Sequence, residues 1–170
     1  MSLEFIAAGY FSRVYRDPKN GKVVKDVGDD ITRFYYQQIN TYGWVPGLPA
    51  VQHQKGNFYT MPYYDALDLP PEKQSAWCRS INNYWQSIPD QAKIAPLEVF
   101  ETQVQTIDRL LADWINPEAL AILRQIAQKI NDRFKGWIPD LDPELGAGNL
   151  LFDSAYQVAV FNDPFAMIGY

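Results

Sequence analysis

One cysteine and one histidine occur in 170 residues, and that scarcity removes several chemistries at once. Cys78 cannot close an internal disulfide, so packing must supply the stability, and a reducing compartment is expected. One His and one Cys cannot build a zinc site. A Ser-His-Asp arrangement would have to use His53, and no nucleophile-elbow motif accompanies it. His53 reads instead as a half-exposed strand residue, and Cys78 as a small buried hydrophobe on a helix. The phosphate-binding pattern Gly-x-x-x-x-Gly-Lys-Ser/Thr is missing too.

Positive charge is also short. Lys and Arg number 15 against 20 Asp and Glu, a net charge of -5, with a pI near 4.8. Nucleic-acid binding rests on neutralising phosphates with basic side chains, so a nucleic-acid partner is not expected. No apolar run approaches the ~18 residues of a membrane span. The start, Met1-Ser2-Leu3-Glu4-Phe5-Ile6, has neither a basic region nor a long apolar stretch after it. The expectation is a cytoplasmic protein with no membrane partner. What the chain does have is apolar bulk: 47% hydrophobic and 15% aromatic residues against 21% charged. That composition belongs to a folded domain rather than a disordered chain, and the length suits one core.

The first third reads as strands, over Leu3–Ala8, Tyr10–Arg16 and Lys22–Val27. Asp17-Pro18-Lys19-Asn20-Gly21 lies between the last two, and its Asn-Gly is a hairpin-turn signal. Asp29 and Asp30 stand where a helix cap belongs, with Ile31, Phe34, Tyr35 and Ile39 following at helical spacing. Gly43–Pro49 is turn-rich, and Val51–His53 and Phe58–Tyr64 read as two further strands. From Pro71 the spacing turns helical. Trp77, Ile81, Trp85 and Ile88 mark one amphipathic face, and Phe100, Val104, Ile107 and Leu111 a second. A third helix starts at Asn116-Pro117-Glu118, with Asn as cap and Pro in the first turn, and runs on through Leu120, Leu123, Ala127, Ile130 and Phe134. Short strands return at Asn149–Phe152 and Gln157–Phe161, joined by a turn at Asp153-Ser154. The order predicts an α+β fold with segregated elements, jointed near Asp65–Pro71.

Several segments in chain order carry groups suited to phosphate and magnesium. Ala7-Ala8-Gly9-Tyr10-Phe11-Ser12-Arg13-Val14-Tyr15 sits between two strands, where small residues let backbone N–H groups approach phosphates. Val23-Val24-Lys25 sets a cation on a strand among apolar neighbours. Later come Pro139-Asp140-Leu141-Asp142-Pro143-Glu144 and Gly146-Ala147-Gly148-Asn149-Leu150-Leu151-Phe152-Asp153. Last, Val158-Ala159-Val160-Phe161-Asn162-Asp163 ends a strand in a carboxylate. Oxygen donors at neighbouring strand ends are what a hard cation such as Mg²⁺ requires.

In these segments the chain resembles the protein-kinase and aminoglycoside-phosphotransferase superfamily, and more closely the short kinase-like proteins of bacteria and their viruses. The resemblance spans almost the whole chain. It implies a kinase-like fold of one domain, with an antiparallel-sheet N-lobe with one helix over 1–66 and a reduced, mostly helical C-lobe with a terminal hairpin over 67–170. It implies a nucleotide-binding loop at Gly9 and Ser12, a phosphate-contacting Lys25, and a hinge strand Tyr59-Thr60-Met61-Pro62-Tyr63 with Met61 against the nucleotide. Asn149 and Asp163, spaced much as in the family, would hold Mg²⁺. ATP and Mg²⁺ are the implied cofactors, and phosphate transfer to a hydroxyl the implied activity.

The pattern also departs from the family. Gly9 is the one clear glycine of its loop, with Ala7 and Ser12 in the other places. No Glu follows Lys25 on the next helix, which offers Gln37 and Gln38 instead; a neutral amide can orient an amine but cannot balance its charge. The acceptor-orienting carboxylate has two candidate positions: Asp140, in a stretch like the family's Asp-Leu-Lys-Pro-Glu, and Glu144, at the usual spacing from Asn149. Asp140 is the first choice. The chain stops at Tyr170, soon after Asp163, so the usual activation segment and substrate platform are expected to be missing. Two other readings therefore stand beside a minimal phosphotransferase. One is an inactive pseudokinase binding a protein partner, with Trp44, Tyr63 or Tyr64 as candidate anchors. The other is an α+β domain that merely carries these residues.

Overall fold

The computed structural model describes residues 2–8, 12–89, 95–141 and 149–167. Its first half is a five-stranded antiparallel sheet built from β1 (Glu4–Ala8), β2 (Ser12–Arg16), β3 (Val23–Val27), β4 (Gln52–Lys55) and β5 (Phe58–Met61). The spatial order is β1-β2-β3-β5-β4, and one helix, α1 (Asp30–Tyr42), connects β3 to β4. The β2–β3 turn follows from its residues. Gly21 takes φ +70°, a conformation that costs glycine little. Its N–H donates to the Asp17 carbonyl at 2.8 Å, while the Asp17 carboxylate accepts from Lys19 N–H at 3.0 Å. Along β3 the period-two alternation of a strand turns Val23, Lys25 and Val27 inward, and all three are buried. A lysine thus sits in a row of valines, facing α1.

That helix starts where its cap demands. The Asp29 side chain accepts from Thr32 N–H at 2.8 Å, and Gly43 closes the far end at φ +89° with its N–H on the Ile39 carbonyl. Ile31, Thr32, Phe34, Tyr35, Tyr36 and Ile39 form its buried face.

Three long helices follow, α2 (Pro71–Ser87), α3 (Pro96–Leu110) and α4 (Pro117–Arg133), with a 3₁₀ turn at Ala112–Trp114. All three have Pro in the first turn, where its missing N–H costs nothing. On α2 only Trp77 is fully buried, and Cys78, expected inside, is exposed. One helical step of about 100° carries it off the face that Trp77 buries. His53 is exposed on β4, as expected, with Nε2 2.8 Å from the Gly56 carbonyl.

Five short strands complete the fold of the described residues. β6 (Asp65–Ala66), β8 (Leu150–Asp153) and β9 (Val158–Phe161) form one sheet in the order β6-β8-β9, and β7 (Trp137–Pro139) pairs with β10 (Phe165–Met167). The stretch expected to be a joint therefore carries β6, hydrogen-bonded to the terminal hairpin. Neither β7 nor β10 was visible in the sequence, because three residues show no period. Both halves share one continuous core. The Tyr35 hydroxyl, from α1, donates to the Phe161 carbonyl at 2.5 Å, and the Phe165 ring packs against Tyr35, Phe100 and Trp137 with centroids 5.4–5.8 Å apart. The α1–β4 loop clamps the halves from another side. The Gly47 carbonyl accepts from Phe161 N–H at 2.9 Å, and Asn116 Nδ2 donates to Pro46 at 2.6 Å.

Candidate functional site

The inward lysine of β3 meets the carboxylate that follows β9. Lys25 Nζ lies 2.9 Å from Asp163 Oδ2, across 138 positions of sequence, and donates to the Tyr36 hydroxyl at 3.1 Å. Lys25 is 3% exposed, whereas the Asp163 side chain keeps 29% of its surface open. Thr32 Oγ1 donates to the other carboxylate oxygen, Oδ1, at 3.2 Å. Asp163 is thus held by β3 through charge and by the first turn of α1 through a hydroxyl. The positive end of that helix favours an anion at this place as well.

Electrostatics explains why the cluster is stable where it is. Burial alone would push the Lys25 amine below the ordinary lysine range, but the Asp163 carboxylate and the Tyr36 phenol outweigh it and hold the pKa above that range. Burial pushes Tyr36 up to about 12, with the Lys25 charge pulling against it, so the phenol is neutral and available as an acceptor at neutral pH. Asp29, the cap of α1, is also raised, first by burial and opposed by the Thr32 N–H. A buried ion costs several kcal/mol unless a partner and hydrogen bonds compensate it. Here one carboxylate and one phenol do so.

Backbone bonds bring the second oxygen donor alongside. The Asn149 carbonyl accepts from Asn162 N–H at 2.9 Å and from Asp163 N–H at 3.3 Å, so Asn149, half-buried at the start of the β8–β9 hairpin, sits beside Asp163. Asp140 approaches from β7, its N–H on the Pro164 carbonyl at 2.8 Å. Side-chain contact joins Lys25 and Asp163, while Asp140 and Asn149 are tied by their backbones to Pro164 and to Asn162 and Asp163. Ser12 opens β2 opposite Val27, and Met61 ends β5 opposite Val23, buried at 4% exposure. Gly9 and Glu144 lie outside the described residues.

Two side chains that hold the Lys25–Asp163 pair escaped the sequence reading. Gln37 and Gln38 do not hold Lys25: Gln37 is exposed, and Gln38 accepts from Lys129 at 3.0 Å. Tyr36 takes that role and Thr32 a parallel one. The two are four residues apart, hence on one helix face. Hydroxyl-bearing residues on an otherwise apolar helix face were the available signal. Of the candidate aromatic anchors, Tyr64 is buried, its hydroxyl accepting from Ala50 N–H at 2.9 Å. Trp44 and Tyr63 are 37% and 56% exposed.

Among the described residues no group of three or more His, Cys, Asp or Glu side chains is placed to hold a metal, and no helix is long and apolar enough to cross a membrane. The strand order β1-β2-β3-β5-β4, α1 between β3 and β4, and the helices and hairpin that follow make up an α+β fold with its elements segregated. No protein-family model matches the chain, and no curated protein does. A solved structure described as the streptomycin-ATP-APH(2")-IIa ternary complex is similar to it at 15% identity. That match covers 98% of this chain and 68% of the other, with a TM-score of 0.36.

Proposed function

We propose that this chain binds ATP with Mg²⁺ in the crevice around Lys25 and Asp163, and acts as a minimal phosphotransferase toward a hydroxyl acceptor. The observation behind this reading is the contact of an amine from the first sheet with a carboxylate from the terminal strands, Asn149 beside them. In this reading Lys25 contacts phosphate oxygens, and Ser12, Met61 and Gly9 are the proposed nucleotide-binding residues. Asp140 orients the acceptor hydroxyl, with Glu144 the alternative. The donor set suits Mg²⁺, which takes one or two protein oxygens and completes its shell with phosphates and water. Asp163 and Asn149 supply those oxygens, and the metal when bound neutralises charge on the transferring phosphoryl group. The cytoplasm is the proposed compartment, and residues 1–66 and 67–170 the proposed lobes of one domain.

The test is a thermal-shift titration, because a ligand of the native state alone must raise the melting temperature, by the equivalent of about 2.7 kcal/mol at a hundred times Kd. Mg²⁺ with ATP is expected to raise it, and Asp163→Ala, compared with and without ligand, to lose the rise. A flat titration of the unmodified protein discards the nucleotide. A second reading, a protein-binding module, is favoured by one observation: both Asp163 oxygens are already engaged by the protein itself. It expects a single stoichiometric partner in a pull-down, retained by Lys25→Ala, and a pull-down without a specific partner counts against it.

A further inference from the structure

We infer that α1 positions this site through two hydroxyls, Thr32 fixing the Asp163 carboxylate and Tyr36 fixing the Lys25 amine, in place of a single carboxylate on that helix. The inference rests on the nucleotide reading for its ligand but not for its geometry. Thr32 is 4% exposed, and its backbone N–H is already taken by the Asp29 cap. Its hydroxyl also faces the Asp29 carboxyl and donates to Asp163 Oδ1, 3.2 Å away. Tyr36 stands one turn on, its ring 5.2 Å from that of Tyr59 on β5, so its phenol cannot swing away from Lys25 without disturbing the sheet. Neither hydroxyl adds charge.

That neutrality has a chemical consequence. A carboxylate on α1 would leave Lys25 balanced whatever became of Asp163. Here Asp163 makes the one ion pair of Lys25 among the described residues. A cation that claims Asp163 leaves a buried ammonium uncompensated, and an anion that claims Lys25 leaves Asp163 short of its partner. A ligand that brings both charges, a metal–polyphosphate pair, satisfies both groups at once. The site therefore takes metal and polyphosphate together far better than either alone, and Thr32, bonded to one carboxylate oxygen, keeps Asp163 oriented for the metal. Hydrogen bonds to charged groups are worth roughly 1.5–3 kcal/mol, a factor of about ten or more in an equilibrium constant.

Two measurements on the full chain test this with Thr32→Val and Thr32→Ser. In thermal shift with ATP in EDTA, Mg²⁺ alone, and Mg²⁺ with ATP, the unmodified protein is expected to show a combined shift exceeding the sum of the other two. Thr32→Val should raise the half-saturating Mg²⁺ at fixed ATP about tenfold, leave the shift by ATP in EDTA unchanged, and be rescued by Thr32→Ser. Amide hydrogen exchange without ligand asks the same question independently. The Asn162 and Asp163 amides should exchange faster in Thr32→Val relative to those of β9, and return in Thr32→Ser, whereas simple destabilisation accelerates all of them in parallel. If Thr32→Val does not fold, Thr32→Ala carries both comparisons. Exchange unchanged or uniformly faster overturns the positioning role. An unchanged Mg²⁺ requirement overturns it as well. An absent shift with Mg²⁺ and ATP in the unmodified protein removes the nucleotide reading, and the exchange result then decides the positioning role by itself.

Discussion

Lys25 is a buried charge whose cost turns on a single ionic partner among the described residues. Its amine is buried against one carboxylate, and removing one partner of such a pair typically costs about 3–5 kcal/mol, because the other charge stays behind in a poor solvent. Asp163→Ala is accordingly expected to lower stability by about that amount, read as a fall in the urea midpoint. Adding Lys25→Met to Asp163→Ala should recover much of the loss, since the stranded charge goes with the lysine. If the double variant is as unstable as Asp163→Ala or worse, the ion pair is not what the site balances. Alkali probes the same cluster. Lys25 and Tyr36 both have raised pKa values in the folded protein, so the folded state keeps protons that the unfolded chain releases. Their contribution is fully present below the unfolded values, about 10 for each, and is lost as pH rises through the folded ones. Stability should therefore fall steeply between about pH 10 and the Tyr36 value of about 12. Tyr36→Phe, which cannot ionise, should show a shallower fall by denaturant titration across that range. Equal slopes for the two proteins would mean that the phenol does not carry the effect.

At the level of elements, legibility followed period and turn chemistry. β3, with its alternating valines, and α1, with its Asp29 cap, were readable because each repeats a local rule often enough to be seen. β6, β7 and β10 were not, because two- or three-residue strands are defined by partners far away in sequence. The same distinction divides the site. Lys25 and Asp163 stand out as charges among apolar residues, but which helix residues serve them depends on the rotation of α1, and the amides of Gln37 and Gln38 fall on its outer side. The loop before β4 shows how tightly such non-local fits are made. Gly47 has φ +100°, and a Cβ there would stand 2.9 Å from the Ala119 Cβ on α4, closer than two carbons pack. Gly47→Ala should therefore cost about 1–3 kcal/mol from the strained backbone alone, with the contact adding to it. Gly56→Ala is the control: its φ of +57° is also positive, but no atom lies within 4 Å of its would-be Cβ. If both variants lose the same amount, the packing of the loop on α4 contributes nothing.

Across the whole molecule, the two halves behave as one cooperative unit if their shared core counts for more than their separate sheets. The buried cluster runs without a break from Val23 and Tyr59 in the first sheet to Trp137 and Phe165 near the chain end, and α1 is built into both sides of it. Its outer contacts reach β3 and β5 through Lys25 and Tyr36, and its Tyr35 hydroxyl reaches Phe161. Opening the molecule between the halves would expose that hydroxyl's partner, the rings around Phe165 and the Lys25–Asp163 pair together, a cost of many kcal/mol at roughly 1.5–3 per buried large side chain. Unfolding by urea should therefore appear as a single transition, with far-UV circular dichroism and tryptophan fluorescence coincident, as two-state behaviour requires. Tyr35→Phe, which keeps the ring and deletes the bond to Phe161, should move both curves together by about 1 kcal/mol. Two separated transitions, or a Tyr35→Phe shift confined to one probe, would show that the first sheet holds its structure after the helical half has come apart. The Lys25–Asp163 contact would then be a meeting of two independent units, and a crevice shared between them would lose its rigid frame.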